Sequence, residues 1–357
     1  MIVPALPCAL GLAAGFLLIR RVPTCPPAQR HAQISLSIII PARNEEQNLP
    51  RLLGSIACSA TAPAEVLVVD DGSTDNTAAL AACFGARVLP AAAKPSGWTG
   101  KSWACYQGAQ NAAGEVLLFL DADTYFLPGG LDRVLSCWHY EQDPRLVLSL
   151  LPYHAMNSGY EQLSLFFNIL MAAGAGGFGA SSTPRLFGQS LLISKDAYFD
   201  AGGHASVRGV VLENLRWAGT LRNCGARILC LGGQGTLHMR MFPEGLRQMS
   251  ESWAKAFIQG AGDSGGMVLS IAIAWISALW STTLLLFMPR DYGRLSLALV
   301  YFLLGLQIAW MARRLGSYRV LSCLLFPLPL AYYCVVFARA GVRHALGRKT
   351  LWRGREV

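Results

Sequence analysis

Two kinds of segment alternate along residues 35–262. Short β-rich runs predict strands at residues 36–40, 65–69 and 115–120. Runs with helix-like spacing follow them at residues 47–58, 77–84 and 102–113. Strands that alternate with helices in this way are typical of βαβ units. The pattern therefore predicts an α/β domain with a parallel sheet over residues 35–262.

Longer uncharged stretches lie near both ends of the chain, at residues 2–19, 264–288, 295–312 and 320–338. About 20 apolar residues cross the hydrocarbon core of a membrane. We therefore expect a membrane anchor over residues 1–21, membrane helices within residues 264–338 and a basic tail over residues 339–357. Pro327 and Pro329 remove backbone donors from the last stretch, which favours a broken or re-entrant helix there.

The composition supports a membrane protein. Hydrophobic residues make up 53% of the chain, charged residues only 14%, and the mean hydropathy is +0.37. Soluble proteins carry about 25% charged residues, so the composition argues against a wholly soluble protein. The net charge of +9 arises after residue 288, where eleven basic and two acidic residues flank the apolar stretches. A nucleic-acid-binding protein carries its charge as a patch on a folded domain, so we expect no nucleic-acid partner.

The charge order around the first stretch predicts the topology. No basic residue precedes this stretch, and Arg20 and Arg21 follow it, which is the reverse of a cleavable signal peptide. The positive-inside rule then places the segment after Arg21 in the cytoplasm. We expect a multi-pass protein of the cell (inner) membrane with a cytoplasmic catalytic domain. If all three later stretches crossed, the basic tail would end outside, against the same rule, so the number of crossings stays open.

Charged side chains gather where the three predicted strands end. They are Arg43 and Glu45, Asp70 and Asp71, and Asp121 and Asp123. Open parallel sheets place their ligand crevice at these strand ends. Carboxylates packed there repel one another unless a cation or hydrogen-bond donors lie between them, and a divalent metal with a nucleotide diphosphate meets that need. For residues 70–75 alone, a turn with helix capping at Ser73 or Asp75 is the alternative.

Three motifs resemble the inverting family 2 glycosyltransferases with a GT-A fold: PARNEE at 41–46, VVDDGSTDNT at 68–77 and DAD at 121–123. Further segments narrow the resemblance to the membrane-bound 4,4'-diaponeurosporenoate glycosyltransferases of C30 carotenoid synthesis. These segments are GWTGKSWACYQG (97–108), PYH (152–154), FFNILM (166–171), LFG (186–188), GGH (202–204), RMFPEG (240–245) and residues 253–262. The resemblance covers nearly the whole chain. Hopanoid-associated enzymes share a similar GWTGK element, so the acceptor stays open.

The resemblance implies a GT-A nucleotide-diphospho-sugar transferase domain over residues 35–262, between the N-terminal and C-terminal transmembrane helices. It also implies a role for each motif residue. The donor-binding residues would be Pro41, Arg43, Glu45, Asp70, Asp71, Lys101 and Asp121. Lys101 would face the diphosphate, with a solvated loop lysine as the alternative. Asp121 would contact the ribose or the metal, and Asp123 would ligate Mg²⁺ or Mn²⁺.

The expected catalytic residue is Glu213. Many family 2 enzymes end their site with Glu-Asp, whose aspartate is the general base, whereas this chain has Glu213-Asn214. A carboxylic acid has a pKa near about 4 and is ionised at neutral pH, whereas a hydroxyl acceptor needs a base. The missing aspartate therefore favours a carboxylate acceptor. A helix-surface role for Glu213 is the alternative.

The resemblance implies an acceptor site at Gly203, His204 and Trp253. Residues 162–184 are apolar but interrupted, and we expect an interfacial helix that lines a lipid entry path. An ordinary buried core helix is the alternative for this segment. His238 is a candidate third metal ligand if it faces Asp123, although a single histidine is more often structural.

Together these features predict an enzyme that moves a hexose, expected to be glucose, from a UDP-sugar to a lipophilic acceptor. The expected acceptor is a carotenoid carboxylate, and the expected reaction is one in-line displacement with inversion. Two alternatives remain. The first is the same transfer reaction with another lipid acceptor, which would be a hopanoid, a diacylglycerol or a polyprenyl phosphate. The second is a protein of a different class, a membrane scaffold without catalytic activity.

Overall fold

The computed structural model describes residues 5–29, 34–175, 177–179, 183–208, 213–260, 266–288, 293–345, 351–352 and 355–356. The chain divides into two compact units. The first, here called the sheet unit, comprises Pro23–His154 and Thr183–Arg240. The second, here called the helical unit, comprises Met1–Val22, Ala155–Ser182 and Met241–Val357.

The strands, in chain order from β1 to β12, are Leu36–Ala42, Glu65–Asp70, Arg87–Pro90, Val116–Leu120, Thr124–Phe126, Leu146–Leu151, Tyr153–His154, Ser190–Ser194, Arg227–Gly232, Leu237–Met239, Leu351–Trp352 and Arg355–Glu356. The helices, from α1 to α13, are Ala5–Leu18, Leu49–Ala57, Thr77–Cys83, Gly100–Asn111, Gly130–Tyr140, Leu165–Ala175, Lys195–Asp200, Glu213–Asn223, Leu246–Gly260, Gly266–Phe287, Arg294–Leu315, Val320–Leu324 and Pro327–Ala345. Short 3₁₀ helices cover Gly159–Ser164 and Gly203–Val207.

The sheet unit is built on a seven-stranded sheet with the order β3-β2-β1-β4-β8-β6-β9. The four strands from β3 to β4 are parallel, as the sequence predicts. Strand β8 runs antiparallel to both β4 and β6, so the complete sheet is mixed. Every residue of β4 is buried, which explains its unbroken apolar sequence, because helices cover both faces of such a sheet. A second sheet, with the order β5-β10-β7, lies in the same unit.

The three predicted strands and the three predicted helices of the first half are all present as β1, β2, β4, α2, α3 and α4. Their bounds agree with the sequence prediction to within about two residues, which is the usual uncertainty of element ends. Helix α2 shows why the pattern was informative. Its buried residues, Leu49, Leu52, Leu53 and Ile56, follow helical spacing and pack into the core beneath the sheet.

Close packing at small residues characterises the helical unit. A Cβ added at Gly11 of α1 would lie 2.6 Å from Ala278 Cβ of α10, and one at Gly15 would lie 2.2 Å from Gln307 Oε1 of α11. Gln307 Nε2 also donates to the carbonyl oxygen of Leu12 at 2.6 Å. Small residues four positions apart allow apolar helices to approach closely, as is common in membrane bundles.

Two of the described helices, α10 and α11, are long and apolar enough to cross a membrane. The last apolar stretch is broken, as its prolines predict: α12 ends at Leu324, and α13 begins at Pro327, where a proline costs no helical hydrogen bond. Helix α1 has 14 described residues, fewer than the about 20 that a span needs. The N-terminal anchor over residues 1–21 stays a prediction.

The structure corrects the expectation of an interfacial helix within residues 162–184. In this region α6 has no exposed residue, and Leu165, Phe166 and Asn168 are among those fully covered. An interfacial helix needs an apolar face directed away from the protein, and α6 has none. It is a core helix of the helical unit. That unit also contains residues 155–182 and 241–260, which lie within the predicted transferase domain 35–262. The predicted domain bounds stay predictions.

Candidate active site

The three charged strand ends meet at one edge of the seven-stranded sheet. Strands β2, β1 and β4 are neighbours in that order, and all three run in the same direction. At the end of this register Ala42 pairs with Asp70, and the Asp71 backbone N–H donates to the Ala42 carbonyl oxygen at 2.9 Å. Residues 41–45, 70–71 and 121–123 therefore follow neighbouring strand ends at one edge of the sheet, as predicted.

Asp71 lies between a cation and a helix start. Its Oδ2 is 3.8 Å from Arg43 Nη1, and both side chains are partly exposed, by 22% and 30% respectively. On the other side, a Cβ added at Gly100, the first residue of α4, would lie 2.5 Å from the same Oδ2. Thr99 caps this helix by accepting a hydrogen bond from the Ser102 backbone N–H. Glycine at position 100 thus allows the carboxylate of Asp71 to rest against the helix N-terminus, where the helix dipole stabilises negative charge.

The loop after β1 is tied to the loop after β2. Asn44 has a left-handed backbone conformation with φ of 54°, which asparagine tolerates better than most residues. Its N–H donates to Ser73 Oγ, and its side-chain oxygen accepts from the Thr74 N–H at 2.8 Å. The Glu45 N–H donates to Thr77 Oγ1 at 2.8 Å. These bonds hold the backbone of the two loops together, and the Glu45 carboxylate accepts a hydrogen bond of 2.8 Å from Asn48 Nδ2.

Asp70 serves the turn after β2. Its carboxylate accepts from the Ser73 N–H at 3.3 Å and from the Ser73 hydroxyl. The alternative interpretation of residues 70–75 as a turn therefore holds for Asp70, whereas Asp71 is the member of the pair that contacts Arg43. A donor-binding role for Asp70 stays a prediction, as does the one for Pro41, which pairs with Val69 within the sheet.

Lys101 contacts the aspartate motif. Its Nζ lies 2.5 Å from Asp121 Oδ1 and donates a hydrogen bond of 2.8 Å to the Gly188 carbonyl oxygen. The Asp121 N–H donates to the carbonyl oxygen of Gln189, which directly follows Gly188. The Lys101 side chain is 42% exposed, but it is engaged with the site rather than solvated.

Asp123 is the most perturbed acid of the crevice. Burial is the main cause that raises the pKa of Asp123 to about 7, the negative charges of Asp121 and Glu45 raise it further, and Lys101 opposes the shift. Among the described residues no group donates a hydrogen bond to Asp123 Oδ1, which is inaccessible to water. A buried carboxylate oxygen without a partner is costly, and a cation at this oxygen would remove the cost.

These donors fit a hard divalent cation. Mg²⁺ and Mn²⁺ prefer carboxylate oxygens and keep sites open for phosphate oxygens, and the crevice offers Asp121 and Asp123 with Glu45 nearby. His238 lies on β10 and pairs with Tyr125 of β5, which comes two residues after Asp123 in the chain. The buried Nε2 of His238 has no hydrogen-bond partner among the described residues. Within that part of the chain, however, no three His, Cys, Asp or Glu side chains already converge as a metal cluster. A third ligand role for His238 stays a prediction.

Gly203 and His204 form a buried cluster with aromatic residues of the sheet unit. His204 is 6% exposed, its Nδ1 is 2.8 Å from the Tyr198 hydroxyl, and its ring contacts Trp217. Burial lowers the pKa of His204 to about 3, so its ring is neutral at physiological pH. Gly203 has φ of +51°, and a Cβ there would lie 2.5 Å from the Tyr198 ring. These contacts explain both residues by packing, and their acceptor role stays a prediction.

Trp253 belongs to the core of the helical unit. It lies on α9, is 4% exposed, stacks on Phe167 with 4.7 Å between ring centroids and donates from Nε1 to Ser164 Oγ. These contacts explain an aromatic residue at this position by packing. Its role toward the acceptor stays a prediction.

Glu213 is the first described residue of α8. Residues 209–212 and the side chains of residues 213–215 lie outside the described part of the structure. The assignment of Glu213 as the catalytic residue thus rests on the motif alone and stays a prediction.

Sequence reasoning missed three contributors to the site: Asn44, Gly100 and Gly188. A signal existed for each, because Asn44 lies in PARNEE, Gly100 in the GWTGK segment and Gly188 in LFG. Their contributions come from backbone conformation, a close approach and a carbonyl oxygen. A search of the sequence for reactive or charged side chains does not detect such contributions.

Comparisons with known proteins agree with this geometry. The family described as Glycosyl transferase family 2 matches residues 37–214. The 4,4'-diaponeurosporenoate glycosyltransferases of Staphylococcus aureus strains MRSA252 and USA300 are each 30% identical over 330 residues, which covers 90% of this chain and 88% of the relative. A mannosyltransferase from Pyrobaculum calidifontis, solved in complex with GDP-Man and Mn²⁺, superposes with a TM-score of 0.56 over 98% of this chain and 100% of its own, at 17% identity.

The chain belongs to glycosyl transferase family 2. Its mixed α/β sheet has the GT-A fold, as the motifs predict. It is an enzyme that transfers a sugar, and the alternative of an inactive scaffold is not supported.

We expect Gly100→Ala to weaken donor binding while the protein still folds. The added methyl group meets the end of the Asp71 side chain, which can rotate away, and alanine is a better helix former than glycine. Asp71 is expected to accept a hydrogen bond from the donor, and its displacement would remove that bond. The loss of one hydrogen bond to a charged group weakens binding about tenfold. Calorimetric titration with UDP measures the change. Gly219→Ala is the matched control, because a Cβ there meets no described atom within 4 Å. Equal UDP affinity in Gly100→Ala and the parent protein would contradict the expectation.

Proposed function

We propose that this enzyme moves glucose from UDP-glucose to a carotenoid carboxylate at a membrane, with a divalent metal. The observation that carries the proposal is the crevice at the ends of β1, β2 and β4. There a buried oxygen of Asp123 has no hydrogen-bond partner among the described residues, and Lys101 supplies positive charge near both Asp123 and Asp121. Such a site suits a diphosphate that shares a metal with two carboxylates.

The reaction would be one displacement at the anomeric carbon. A carboxylate oxygen of the acceptor forms the new bond to that carbon as the bond to the UDP oxygen breaks, so the configuration inverts. Arg43 and Asp71 would bind the nucleoside, and Lys101 would hold the diphosphate. Asp121 and Asp123 would hold Mg²⁺ or Mn²⁺, whose charge stabilises the departing UDP. No proton needs to be removed from an acid acceptor at neutral pH, because it is already ionised.

Two observations support a carotenoid acid as the acceptor. The Staphylococcus aureus relatives are named for 4,4'-diaponeurosporenoate, and they align with nine tenths of this chain. In addition, this chain has Asn214 where a base-bearing aspartate is expected for a hydroxyl acceptor. The apolar helices α10 and α11 support the delivery of such an acceptor from a membrane.

A screen of acceptors tests the proposal. The purified full-length protein is incubated with UDP-glucose and Mn²⁺ and, in separate reactions, with a carotenoid acid, a hopanoid, a diacylglycerol or a polyprenyl phosphate. Mass spectrometry should find a hexose added to the carotenoid acid, and mild alkali should release it as expected for an ester. Transfer to one of the other lipids, with none to the acid, would overturn the acceptor assignment.

We also propose that the sheet unit lies on the cytoplasmic side of the cell membrane, because Arg20 and Arg21 follow the first apolar stretch. Cysteine labelling tests this orientation. Cys58 and Cys83 are exposed, whereas Cys105 is buried. A membrane-impermeant maleimide should label Cys58 and Cys83 only after the cells are opened, with Cys105 as the control that reacts only after denaturation. Labelling of Cys83 in intact cells would show that the orientation is reversed.

A further inference from the structure

Lys101 contacts a carboxylate that the proposed metal also needs. Its ammonium nitrogen lies 2.5 Å from Asp121 Oδ1, and the Gly188 carbonyl oxygen accepts a second hydrogen bond from it at 2.8 Å. Asp121 is one of the two proposed metal ligands. A divalent cation and the ammonium group therefore compete for the same carboxylate.

The competition is electrostatic as well as steric. Repulsion scales with the product of the charges, so an ammonium group within a few ångströms disfavours a divalent ion about twice as strongly as a monovalent one. An anion between the two cations removes this repulsion. A nucleoside diphosphate carries negative oxygens that both cations can contact, so the nucleotide makes the two compatible.

Lys101 can reach a second partner. Its side chain is flexible and 42% exposed, and neither contact is a bidentate clamp. Backbone hydrogen bonds hold Asp121 independently of Lys101. The Asp121 N–H donates to the Gln189 carbonyl oxygen, and the Asp121 carbonyl oxygen accepts from the Thr124 N–H. The lysine side chain can therefore move while the carboxylate remains at the site.

We infer that Lys101 exchanges Asp121 for the donor diphosphate when the metal and the nucleotide bind, so that the metal binds tightly only together with the nucleotide. This inference rests on the proposed metal-dependent donor site and deepens it. Lys101 then has two opposite effects on binding. It weakens the binding of metal alone, and it strengthens the binding of nucleotide in the presence of metal.

The test is Lys101→Met in the full-length protein in detergent, since methionine keeps the length of the side chain and removes its charge. The binding of Mn²⁺ alone is measured by electron paramagnetic resonance of the unbound ion. The binding of UDP at saturating Mn²⁺ is measured by calorimetry. In the variant, Mn²⁺ alone should bind at least about threefold more tightly, because a competing cation is gone. UDP should bind about tenfold more weakly, because a charged contact to the diphosphate is lost.

Opposite signs of the two changes identify the exchange. Lys94→Met is the matched control, because it removes the same charge from the loop that precedes α4, where Lys94 donates to the Trp98 carbonyl oxygen. Neither affinity should change in this control. Lys101→Arg keeps the charge and should leave the Mn²⁺ affinity within about twofold of the parent value.

Unchanged or weaker binding of Mn²⁺ alone to a normally folded Lys101→Met protein would overturn the inference and leave the proposed function intact. If the parent protein binds no Mn²⁺ even with UDP, the proposed metal site itself is wrong, and the inference falls with it. Thermal unfolding of Lys101→Met and Lys101→Arg distinguishes these outcomes from a folding defect.

Discussion

Replacement of Asp123 by asparagine is expected to abolish sugar transfer, with a loss of about 10³-fold or more in the rate of UDP release from UDP-glucose. Asp123 would supply a charged ligand to the metal that stabilises the departing diphosphate, and an amide supplies no charge. EDTA should cause the same loss in the parent protein, and added Mn²⁺ should restore its activity. Initial rates with the purified protein and a saturating acceptor measure both effects.

The same variant should fold at least as well as the parent protein in EDTA. The pKa of Asp123 is raised to about 7, so ionisation of this group above its ordinary pKa opposes folding, and the cost is complete above about pH 7. A neutral asparagine avoids this cost. The melting temperature of Asp123→Asn at pH 8 should therefore equal or exceed that of the parent. Asp196→Asn, at an exposed position of α7, is the control for a lost surface charge. Full transfer activity in EDTA, or in Asp123→Asn, would refute the metal assignment.

Glu213→Gln is expected to reduce turnover by less than about tenfold when the acceptor is a carotenoid acid. An ionised carboxylate needs no general base, so the variant loses only the contribution of Glu213 to the position of the acceptor. If Glu213 instead removed a proton from a hydroxyl, the loss would be about 10²- to 10⁴-fold, and the pH–rate profile would lose its acidic limb. Rates measured between pH 6 and 8 separate the two mechanisms, because an acid acceptor is ionised throughout that range.

A loss above about a thousandfold with a confirmed carboxylic acid acceptor would show that Glu213 does more than position it. The argument from the acceptor pKa would then be wrong. Glu115→Gln provides a control for the same chemical change. Glu115 immediately precedes the first residue of β4, whereas Asp121 and Asp123 of the site follow its last residue.

The sequence predicted the first half of the fold well because local and tertiary preferences agree there. Strands β1 and β4 are short and almost entirely buried, β2 is buried along half of its length, and turn-forming residues bound all three. The helices between them carry apolar residues at helical spacing. Parallel strands joined by such helices have a single arrangement with common carboxyl ends, so the gathering of the charged residues followed from the pattern alone.

The second half was not predictable in the same way. Strand β8 is inserted antiparallel between β4 and β6, although 69 residues separate the end of β4 from its start. No local signal specifies such a pairing, because only tertiary contacts select the partner. Helix α6 was misinterpreted for a related reason. A helix that is apolar all round suits a protein core or a membrane interface, and only the surrounding helices decide between them.

The site shows the same limit at finer scale. Motif residues with charged side chains were found, but their partners were not. Lys101 was expected to face a diphosphate, and the structure pairs it with Asp121 and the carbonyl oxygen of Gly188. Asp70 and Asp71 are adjacent and chemically identical, yet one holds a turn and the other contacts Arg43. Such assignments depend on the direction of each side chain, which the sequence does not specify.

The most direct test of the central claim is a stoichiometric assay. The purified full-length protein is given UDP-glucose, Mn²⁺ and a carotenoid acid, and both the UDP released and the glucosyl ester formed are quantified over time. We predict that the two products appear in equal amounts, that omission of the metal or of the acid stops both, and that the ester has the inverted anomeric configuration. UDP release at the full rate in the absence of metal would contradict the account. So would UDP release at the full rate while no acceptor lipid gains a hexose.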